Sequence, residues 1–287
     1  MTWFLLSLAS AFLLASGDTA AKRWLSGYEA REMTLVYSVF TALCLLPWLL
    51  WLPWPQFTPA FFGWLVVLIP LELLAMLLYL AAIRDSPLAL TVPYLAFTPA
   101  FIVLPGYLLL GEQVTVPGLA GIMLIVVGAY SLNIRRGSGW LAPLRAIVRE
   151  RGSRFMLFAA AIYSLTAVMG KAAMQHVPPV FFGPFYFLAL GLAAPLVLGL
   201  DQPARLKALW RQPWAHLLIG ALAAAMVLTH FLALAQVEAA YMIAVKRTSL
   251  LFGIVYGAVL FGEQRLRQHL LAGSLMVVGV ALLLTAA

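Results

Sequence analysis

Charge is scarce in this sequence. Only 10% of its 287 residues are Asp, Glu, Lys or Arg, whereas 64% are hydrophobic, and the mean hydropathy is +1.00. A soluble globular domain is about 25% charged and roughly 45–50% apolar. The composition therefore excludes an ordinary soluble domain. It predicts an integral membrane protein whose helices cross the bilayer as apolar stretches of about 20 residues.

Cysteine and catalytic motifs are also nearly absent. The single cysteine, Cys44, excludes a disulfide framework within the chain and any metal site built from several cysteines. The sequence contains no Walker motif, no histidine cluster and no motif for hydrolysis or redox chemistry. We therefore expect neither an enzyme nor an ATP-driven pump, and we expect no cofactor and no bound metal.

The sequence does contain an internal repeat. Residues 106–130 read GYLLLGEQVTVPGLAGIMLIVVGAY, and residues 257–281 read GAVLFGEQRLRQHLLAGSLMVVGVA. Ten of these 25 positions are identical at a constant offset of 151 residues, and Gly-Glu-Gln occurs in both copies. The first part of the repeat matches at an offset of 149, which pairs Tyr37 with Tyr186. We infer that the chain is a tandem duplication.

Clusters of proline, glycine or charge divide the chain into ten apolar segments. They cover residues 2–22, 32–52, 60–82, 87–110, 115–134, 153–174, 179–200, 213–236, 239–261 and 267–286. The sequence thus predicts an all-α membrane protein with ten transmembrane helices, five in each repeat. The repeats cover 1–134 and 153–287 and are joined by a linker at 135–152. Because five is odd, the second repeat is inverted in the membrane, and inverted repeats are typical of transporters.

The basic residues are unevenly distributed between the two faces. Fifteen of the 18 lie in loops that follow odd-numbered spans, Lys171 lies on the other face, and Lys246 and Arg247 lie inside span nine. The positive-inside rule therefore places the odd-numbered loops in the cytoplasm and both termini outside it, in what we expect to be a bacterial inner membrane. Membrane orientation thus explains the net charge of +8, and we expect no nucleic-acid partner.

The linker at 135–152 has the pattern of an amphipathic helix. Trp140, Leu144 and Val148 share a helical face, and Arg145 and Arg149 lie beside it. This pattern predicts a short helix on the cytoplasmic membrane surface, held by anionic lipid. Docking of a partner protein is the alternative.

The repeat ends carry a family resemblance. Each half ends in Gly-Glu-Gln followed by a glycine-rich last span, Thr98-Pro99 lies in a proline-bearing fourth span, and each half has a lysine in its first span. In this order the features resemble EamA-type members of the drug/metabolite transporter (DMT) superfamily over nearly the whole chain. The resemblance implies a ten-helix secondary transporter, often an exporter of amino acids or other small metabolites. It also implies a central cavity lined by spans one, three and four and by their counterparts six, eight and nine.

One feature departs from that family. Many relatives carry basic residues before the first span and after the last, whereas residues 1–18 and 270–287 contain none here. The charge distribution therefore predicts the opposite orientation to those relatives, and the superfamily includes members of both orientations.

Polar residues at bilayer depth are the first candidates for the transport site, because a charged group there is costly. Glu72 lies near the middle of span three, and Tyr79 follows seven residues later on the same helical face. The repeat pairs Tyr79 with His230 in span eight, and Thr98 in span four is a further candidate. We expect these four side chains to line a cavity between the repeats. The alternative is that Tyr79 and His230 serve only to pack the core.

Span nine contributes the cations. Lys246 and Arg247 lie seven to eight residues inside it, about 10–12 Å from its outer end. In a continuous helix Lys246, Ser249 and Tyr256 share one face, and only one of the two cations faces the cavity squarely. We expect that cation to pair with Glu72 in the empty site and to contact the substrate in the occupied one. A fixed ion pair that only joins the helices is the alternative.

Charged residues near the span ends are candidates for gating or structural roles. Asp18 and Lys22 are four residues apart and predict a local ion pair, with gating as the alternative. Lys171 has no such acid and is expected to be an interfacial anchor. Glu112 and Glu263 end spans four and nine on opposite faces, where we expect them to accept hydrogen bonds and to help close a gate.

Glycines recur seven residues apart in the last span of the first repeat, at Gly121 and Gly128, and Gly279 follows in the second. They predict close packing between the two halves, with the seam of a homodimer as the alternative. The chain is thus expected to act as a monomer or a homodimer.

The sequence as a whole favours a secondary transporter that works by alternating access at a midplane cavity. The expected substrate is a small polar, anionic or zwitterionic metabolite such as an amino acid, moved in the direction of export. Protons are the expected coupling ion, through Glu72 or His230. The alternative function is the handling of lipid-linked sugars or other lipids. A purely structural scaffold is disfavoured, because it gains little from buried charge.

Overall fold

The computed structural model describes residues 1–86, 92–132, 149–200, 202–261 and 266–286, and these ranges contain helices but no strand. The α-helices are α1 (Thr2–Trp24), α2 (Ala30–Trp51), α3 (Pro59–Asp85), α4 (Thr98–Leu110), α5 (Val116–Ser131), α6 (Arg151–Ala173), α7 (Pro179–Gly199), α8 (Pro213–Leu234), α9 (Ala239–Lys246), α10 (Ser249–Phe261) and α11 (Leu266–Ala286). Two 3-10 helices, Val92–Phe97 and Pro203–Trp210, precede α4 and α8.

Eight of the helical segments in the described part are long and apolar enough to cross a membrane. Two of the eight are composite, since Pro93–Leu110 joins a 3-10 helix to α4 and Ala239–Tyr256 joins α9 to α10. Two further apolar helices, Val116–Ser131 and Ala272–Ala286, are shorter. The chain is therefore an all-α integral membrane protein. Most of the linker predicted at 135–152 lies outside the described residues, and α6 begins at Arg151.

The two halves of the chain pack mainly against each other. The most extensive helix pairs are α5 with α11, α2 with α7, α3 with α6, and α1 with α8. Every one of these pairs joins a helix of the first half to a helix of the second. In the second repeat, α6 is the counterpart of α1 and α8 is the counterpart of α3. The α1–α8 pair and the α3–α6 pair are therefore equivalent contacts. The packing thus follows the duplication read from the sequence.

Glycines allow the closest of these approaches. A Cβ atom added to Gly121 in α5 would lie 2.8 Å from the Gly279 carbonyl oxygen in α11, and one added to Gly128 would lie 2.8 Å from the Ala272 carbonyl oxygen. Real Cβ atoms do not approach so closely, so the two backbones meet only because these side chains are absent. The predicted glycine strip is therefore used within the chain, between its two halves.

The fourth span of each half is interrupted at the same repeat position. Helix α4 begins at Thr98 after a 3-10 helix, and α10 begins at Ser249 after α9 ends at Lys246, an offset of 151 residues. Pro93 and Pro99 account for the first interruption, because proline cannot donate a backbone hydrogen bond. No proline occurs at the second interruption. The continuous helix that we assumed for span nine is therefore wrong at Arg247–Thr248.

Candidate functional site

A cavity of about 130 Å³ lies between the two halves. Its walls come from α1, α2, α3 and the segment around the start of α4 in the first half, and from α6, α7, α8 and α9 in the second. The lining residues are Leu14, Tyr37, Glu72, Met76, Tyr79, Leu80, Leu95, Thr98, Tyr163, Thr166, Ala167, Tyr186, Phe187, Met226, Val227, His230, Phe231, Ile243, Lys246 and Arg247. The structure thus brings six of the eight predicted substrate-site residues together, from four spans distant in sequence.

Lys246 and His230 form the polar pair on the second half. Lys246 is 8% exposed, and its Nζ lies 3.0 Å from His230 Nδ1 and 3.2 Å from the Met226 sulfur. The direction of this hydrogen bond depends on the tautomer of the His230 ring, and a protonated Lys246 requires Nδ1 as the acceptor. The buried Lys246 amino group therefore lies between an imidazole ring and a polarizable sulfur.

Glu72 lies on the first half of the cavity wall. Its carboxylate is close to the hydroxyl groups of Thr166 and Tyr186 and interacts electrostatically with Lys246. Tyr186 donates to the Leu68 carbonyl oxygen at 3.3 Å. The ion pair that we expected between Glu72 and a span-nine cation is absent from the described contacts, because Lys246 is engaged by His230 instead. Glu72 and Lys246 both line the cavity, and the described ion pairs do not join them.

Arg247 also lines the cavity, next to Lys246. Lys246 is the last residue of α9 and Arg247 is its C-cap, and both side chains line the cavity. Arg247 is 6% exposed, and its Nε has no hydrogen-bond partner among the described residues. The hydroxyl of Tyr79, which is 8% exposed, is likewise without a partner there. Two buried donors therefore meet at the cavity wall with unused hydrogen-bonding capacity.

Asp18 belongs to the same group of charges. We expected a local ion pair with Lys22, but the described contacts contain none. The half-buried carboxylate of Asp18 instead lies beside Tyr79 and interacts electrostatically with Lys246 and Arg247. The Tyr79 hydroxyl completes no hydrogen bond of good geometry with it. Asp18 is not among the residues that line the cavity, whereas Leu14, one turn before it on α1, is, and Lys22 lies one turn further towards the end of the helix.

Three other predicted substrate contacts differ in their surroundings. Thr98 lines the cavity, and its hydroxyl donates to the Leu95 carbonyl oxygen at 2.6 Å. Ser249 is buried at the start of α10, outside the cavity lining. Tyr256 lies further along α10, where its hydroxyl is 2.7 Å from Ser16 Oγ on α1. The interruption of span nine separates the last two residues from the cations that they were expected to accompany.

Lys171 and Glu112 join three helix ends on one face of the protein. Lys171 Nζ at the end of α6 donates to Glu112 Oε1 at 2.5 Å and to the Val237 carbonyl oxygen. Glu112 Oε2 accepts from the Ala239 backbone N–H at 2.9 Å, at the start of α9. Lys171, which we predicted to be an interfacial anchor, thus forms an ion pair with Glu112. Glu263, the repeat counterpart of Glu112, lies outside the described residues.

The tyrosines of the cavity were not predicted as site residues. Tyr37, Tyr163 and Tyr186 line it, so α2 and α7 contribute in addition to the expected spans. The match of Tyr37 with Tyr186 at an offset of 149 was a signal in the sequence, since a polar pair shared by both halves fits a symmetric site. Among the described residues, no group of three or more His, Cys, Asp or Glu side chains is placed to hold a metal ion.

Both halves of the chain match one known protein family. The chain matches the EamA-like transporter family twice, over residues 1–134 and over residues 151–285. The chain belongs to the EamA-like transporter family. As a family member it is placed among the membrane transporters of the DMT superfamily, and the two matches correspond to the two halves that share the cavity.

Solved structures show the same fold. One crystal structure is 17% identical in sequence and superposes with a TM-score of 0.74, covering 100% of this chain and 99% of the other. At that identity the similarity concerns the fold alone. No curated protein sequence matches the chain at a significant level.

Proposed function

We propose that this EamA family member is a secondary active exporter of a small polar metabolite such as an amino acid. In this proposal ten spans form two inverted repeats, and the repeats rock about the central cavity by alternating access. The cavity carries the proposal, because it lies between the halves and is lined by Glu72, Lys246 and Arg247. A charged side chain in the middle of a membrane-spanning helix is energetically costly, and binding of the transported substrate is a reason for its presence.

The interrupted spans support this mechanism. Broken helices beside a midplane site are a recurrent feature of secondary transporters. Here the breaks before Thr98 and Ser249 occupy equivalent positions of the two repeats, and the segments that precede them line the cavity. Each break supplies a place where the half-helices can change their relative angle without unfolding the span.

The contact between Lys171 and Glu112 is proposed to close one side of the cavity. It ties the ends of α4 and α6 to the start of α9, which continues into the cavity wall. Opening on this side would then require the contact to break. We further propose that this face is outside the cytoplasm and that both termini lie on it, in a bacterial inner membrane, as the distribution of basic residues predicts.

Protons are proposed as the coupling ion. Protonation of His230 at Nδ1 would remove the acceptor of the Lys246 hydrogen bond, and protonation of Glu72 would remove the negative charge that faces Lys246. Either event changes the charge that the cavity offers to a substrate. A proton-sensitive dye trapped in proteoliposomes tests this directly. Substrate movement without any accompanying change in internal pH would exclude proton coupling.

The central test replaces the two facing charges. Purified protein in proteoliposomes is screened with a panel of amino acids and other small metabolites, and the variants Glu72→Gln and Lys246→Ala are then compared with the parent. We expect transport to fall to background, at least tenfold, because each change removes a charge that faces the substrate while keeping the side chain similar in size or smaller.

Matched controls come from charges that lie away from the cavity. Glu29→Gln alters a 61% exposed carboxylate that pairs with Arg205, and Lys207→Ala alters an exposed lysine. Both are expected to transport at the parental rate. Equal transport by Glu72→Gln, Lys246→Ala and the parent would contradict the assignment of the cavity as the transport site.

A further inference from the structure

Two segments far apart in the sequence form a basic surface on one face of the protein. Residues 22–32 cover the end of α1 and the start of α2, and residues 202–214 cover the 3-10 helix Pro203–Trp210 and the start of α8. Together they contain six basic and two acidic residues, which gives a formal net charge of +4. These eight residues, which we call the basic surface, are Lys22, Arg23, Glu29, Arg31, Glu32, Arg205, Lys207 and Arg211. None of the eight lines the cavity.

Contacts between the two segments make this a single surface. Arg205 Nε lies 3.6 Å from Glu29 Oε2, and Arg211 Nη2 lies 2.9 Å from Glu32 Oε1. The guanidinium carbon of Arg211 also lies 5.2 Å from the ring centroid of Tyr28. One segment belongs to each half of the chain, so the surface spans both halves. Because each acid is paired with an arginine, the other basic residues leave an excess of positive charge.

Two of these basic residues are open to a ligand. The side chains of Arg23 and Lys207 are exposed, and no ion pair in the described part of the chain involves either of them. The guanidinium carbon of Arg23 lies 5.8 Å from the ring centroid of Trp24. Trp24 in turn meets Trp214 edge to face, with 5.1 Å between the ring centroids. Arg23 is thus positioned beside an aromatic pair that joins the end of α1 to the start of α8.

Exposed tryptophans lie next to these cations. Trp210 and Trp214 are 79% and 60% exposed, and they flank the start of the membrane-spanning helix Pro213–Leu234. Lys207 and Trp210 are three residues apart in a 3-10 helix, a spacing that places them on the same side of it. Tryptophan is enriched at the level of the lipid headgroups, because one part of the indole ring is apolar and its N–H is polar. Cations and exposed indole rings therefore occur together at the membrane boundary.

This combination fits an anionic lipid as the partner. A phosphodiester headgroup supplies the negative charge that attracts lysine and arginine side chains near a membrane. The glycerol and the upper acyl chains next to that phosphate can pack against the tryptophan rings. A soluble phosphate ion would use the cations and leave the rings without a role. Because the surface lies at the ends of membrane-spanning helices, lipid headgroups surround it.

We propose that the basic surface binds anionic phospholipids. Arg23 and Lys207 contact the phosphate groups, and Trp210 and Trp214 pack against the glycerol and the upper acyl chains. The bound lipids thereby lie where the two halves of the chain meet on this face. The inference is independent of the transported substrate and of the orientation in the membrane, since it concerns residues outside the cavity.

The first experiment compares lipids on the purified full-length protein in a neutral detergent. The unfolding temperature is measured while phosphatidylglycerol or phosphatidylcholine with the same acyl chains is added, and the affinity is taken from the concentration dependence. Phosphatidylglycerol is expected to bind about tenfold or more tighter, because two basic residues favour the anionic headgroup. Added salt is expected to reduce this preference. Equal affinity for the two lipids would overturn the proposal, and so would equal affinity for glycerol 3-phosphate, which has the phosphate without the acyl chains.

The second experiment removes the two open cations. The double variant Arg23→Gln/Lys207→Gln is compared with Arg84→Gln/Arg154→Gln, which removes two exposed basic residues outside the basic surface. The first variant is expected to lose its preference for phosphatidylglycerol about tenfold, whereas the control is expected to keep it. All four residues are exposed, so both variants are expected to unfold near the parental temperature without lipid. An equal loss of preference in the two variants would show that overall charge, and not this surface, attracts the lipid.

The third experiment tests the tryptophans. Trp210→Leu keeps an apolar side chain and removes the indole ring, and Trp51→Leu does the same to an 88% exposed tryptophan. Trp51 is the matched control, because α2 begins at the basic surface and ends at Trp51 on the opposite face. Trp210→Leu is expected to weaken phosphatidylglycerol binding about threefold, and Trp51→Leu is expected to leave it unchanged. Parental affinity in Trp210→Leu would refute the role of the indole ring and the choice of a lipid over a soluble phosphate.

Discussion

At the residue scale, burial decides how much a charge matters in this protein. The Lys171–Glu112 pair has side chains that are 20% and 11% exposed, whereas the Arg84–Asp85 pair has side chains that are 42% and 35% exposed. Exposed ion pairs contribute about 0–1 kcal/mol because water and salt screen them. A partly buried carboxylate that loses its partner keeps the cost of its desolvation.

We therefore predict a difference between two matched lysine and arginine replacements. Lys171→Met is expected to lower the free energy of unfolding by about 1–3 kcal/mol, because Glu112 is left partly buried without its cation. Arg84→Met is expected to change it by less than about 1 kcal/mol. Thermal unfolding of the detergent-solubilised protein measures both. Equal effects of the two replacements would show that the Lys171 contact is not formed in the membrane protein.

The sequence was least informative about the partners of individual side chains. Glu72, Tyr79 and His230 were identified from depth and repeat position, and the structure places all three on one cavity. Asp18 was assigned to a local pair with Lys22, because spacing along one helix was the available information. Whether Asp18 faces its neighbour or the cavity depends on the rotation of α1 against α8, and the sequence does not contain that rotation.

At the scale of the elements, glycines allow the last helices of the two halves, α5 and α11, to pack closely against each other. Residues of α5 and α11 approach through Gly121 and Gly279, where an added Cβ atom would lie 2.8 and 2.7 Å from the facing carbonyl oxygens. Backbone atoms cannot move aside as the end of a flexible side chain can. The contact between these helices is therefore intolerant of even one added methyl group.

Two glycine replacements test this contact. Gly121→Ala is expected to destabilise the protein by about 1–3 kcal/mol through overpacking. Gly253→Ala in α10, where an added Cβ meets no atom within 4 Å, is expected to stabilise the protein slightly, by up to about 1 kcal/mol, because alanine has the higher helix propensity. The unfolding temperatures of both variants are compared with that of the parent. Destabilisation by Gly253→Ala equal to that by Gly121→Ala would argue against the close α5–α11 contact.

Only one of the two interruptions in the fourth spans has a sign in the sequence. The fourth span of the first half bears prolines, and the structure has a 3-10 helix from Val92 to Phe97 before Thr98. The equivalent break before Ser249 has no proline and was missed. Packing of α9 among α1, α4 and α8 is a tertiary effect, and it overrides the local preference for a continuous helix.

At the scale of the whole molecule, the described basic residues gather on one face. The loop after α1 and the first turn of α2 meet the segment between α7 and α8 through Glu29–Arg205 at 3.6 Å and Glu32–Arg211 at 2.9 Å. The Lys171–Glu112 contact belongs to the loops that follow even-numbered spans. The two sets of loops are therefore segregated, as an up-and-down arrangement of membrane spans requires.

The orientation of the molecule gives a prediction at this scale. A reporter fused after Ala287 is expected to be active in the form that requires export from the cytoplasm, because the basic loops are retained inside. A fusion in the loop at 25–29, between α1 and α2, serves as the opposite control and is expected to report the cytoplasm. Cytoplasmic activity of the fusion after Ala287 would reverse the orientation that we propose.

The sequence by itself determined the composition, the duplication and the family, because these depend on residue types and on spacing along the chain. It also identified the polar residues within the apolar spans, whose contact with lipid would be energetically costly. The tertiary structure decided which of those residues share a cavity. Asp18, Glu72 and the adjacent pair of Lys246 and Arg247 lie on three separate helical segments, so their relation depends on how these segments are rotated and packed. Packing between the halves sets that rotation.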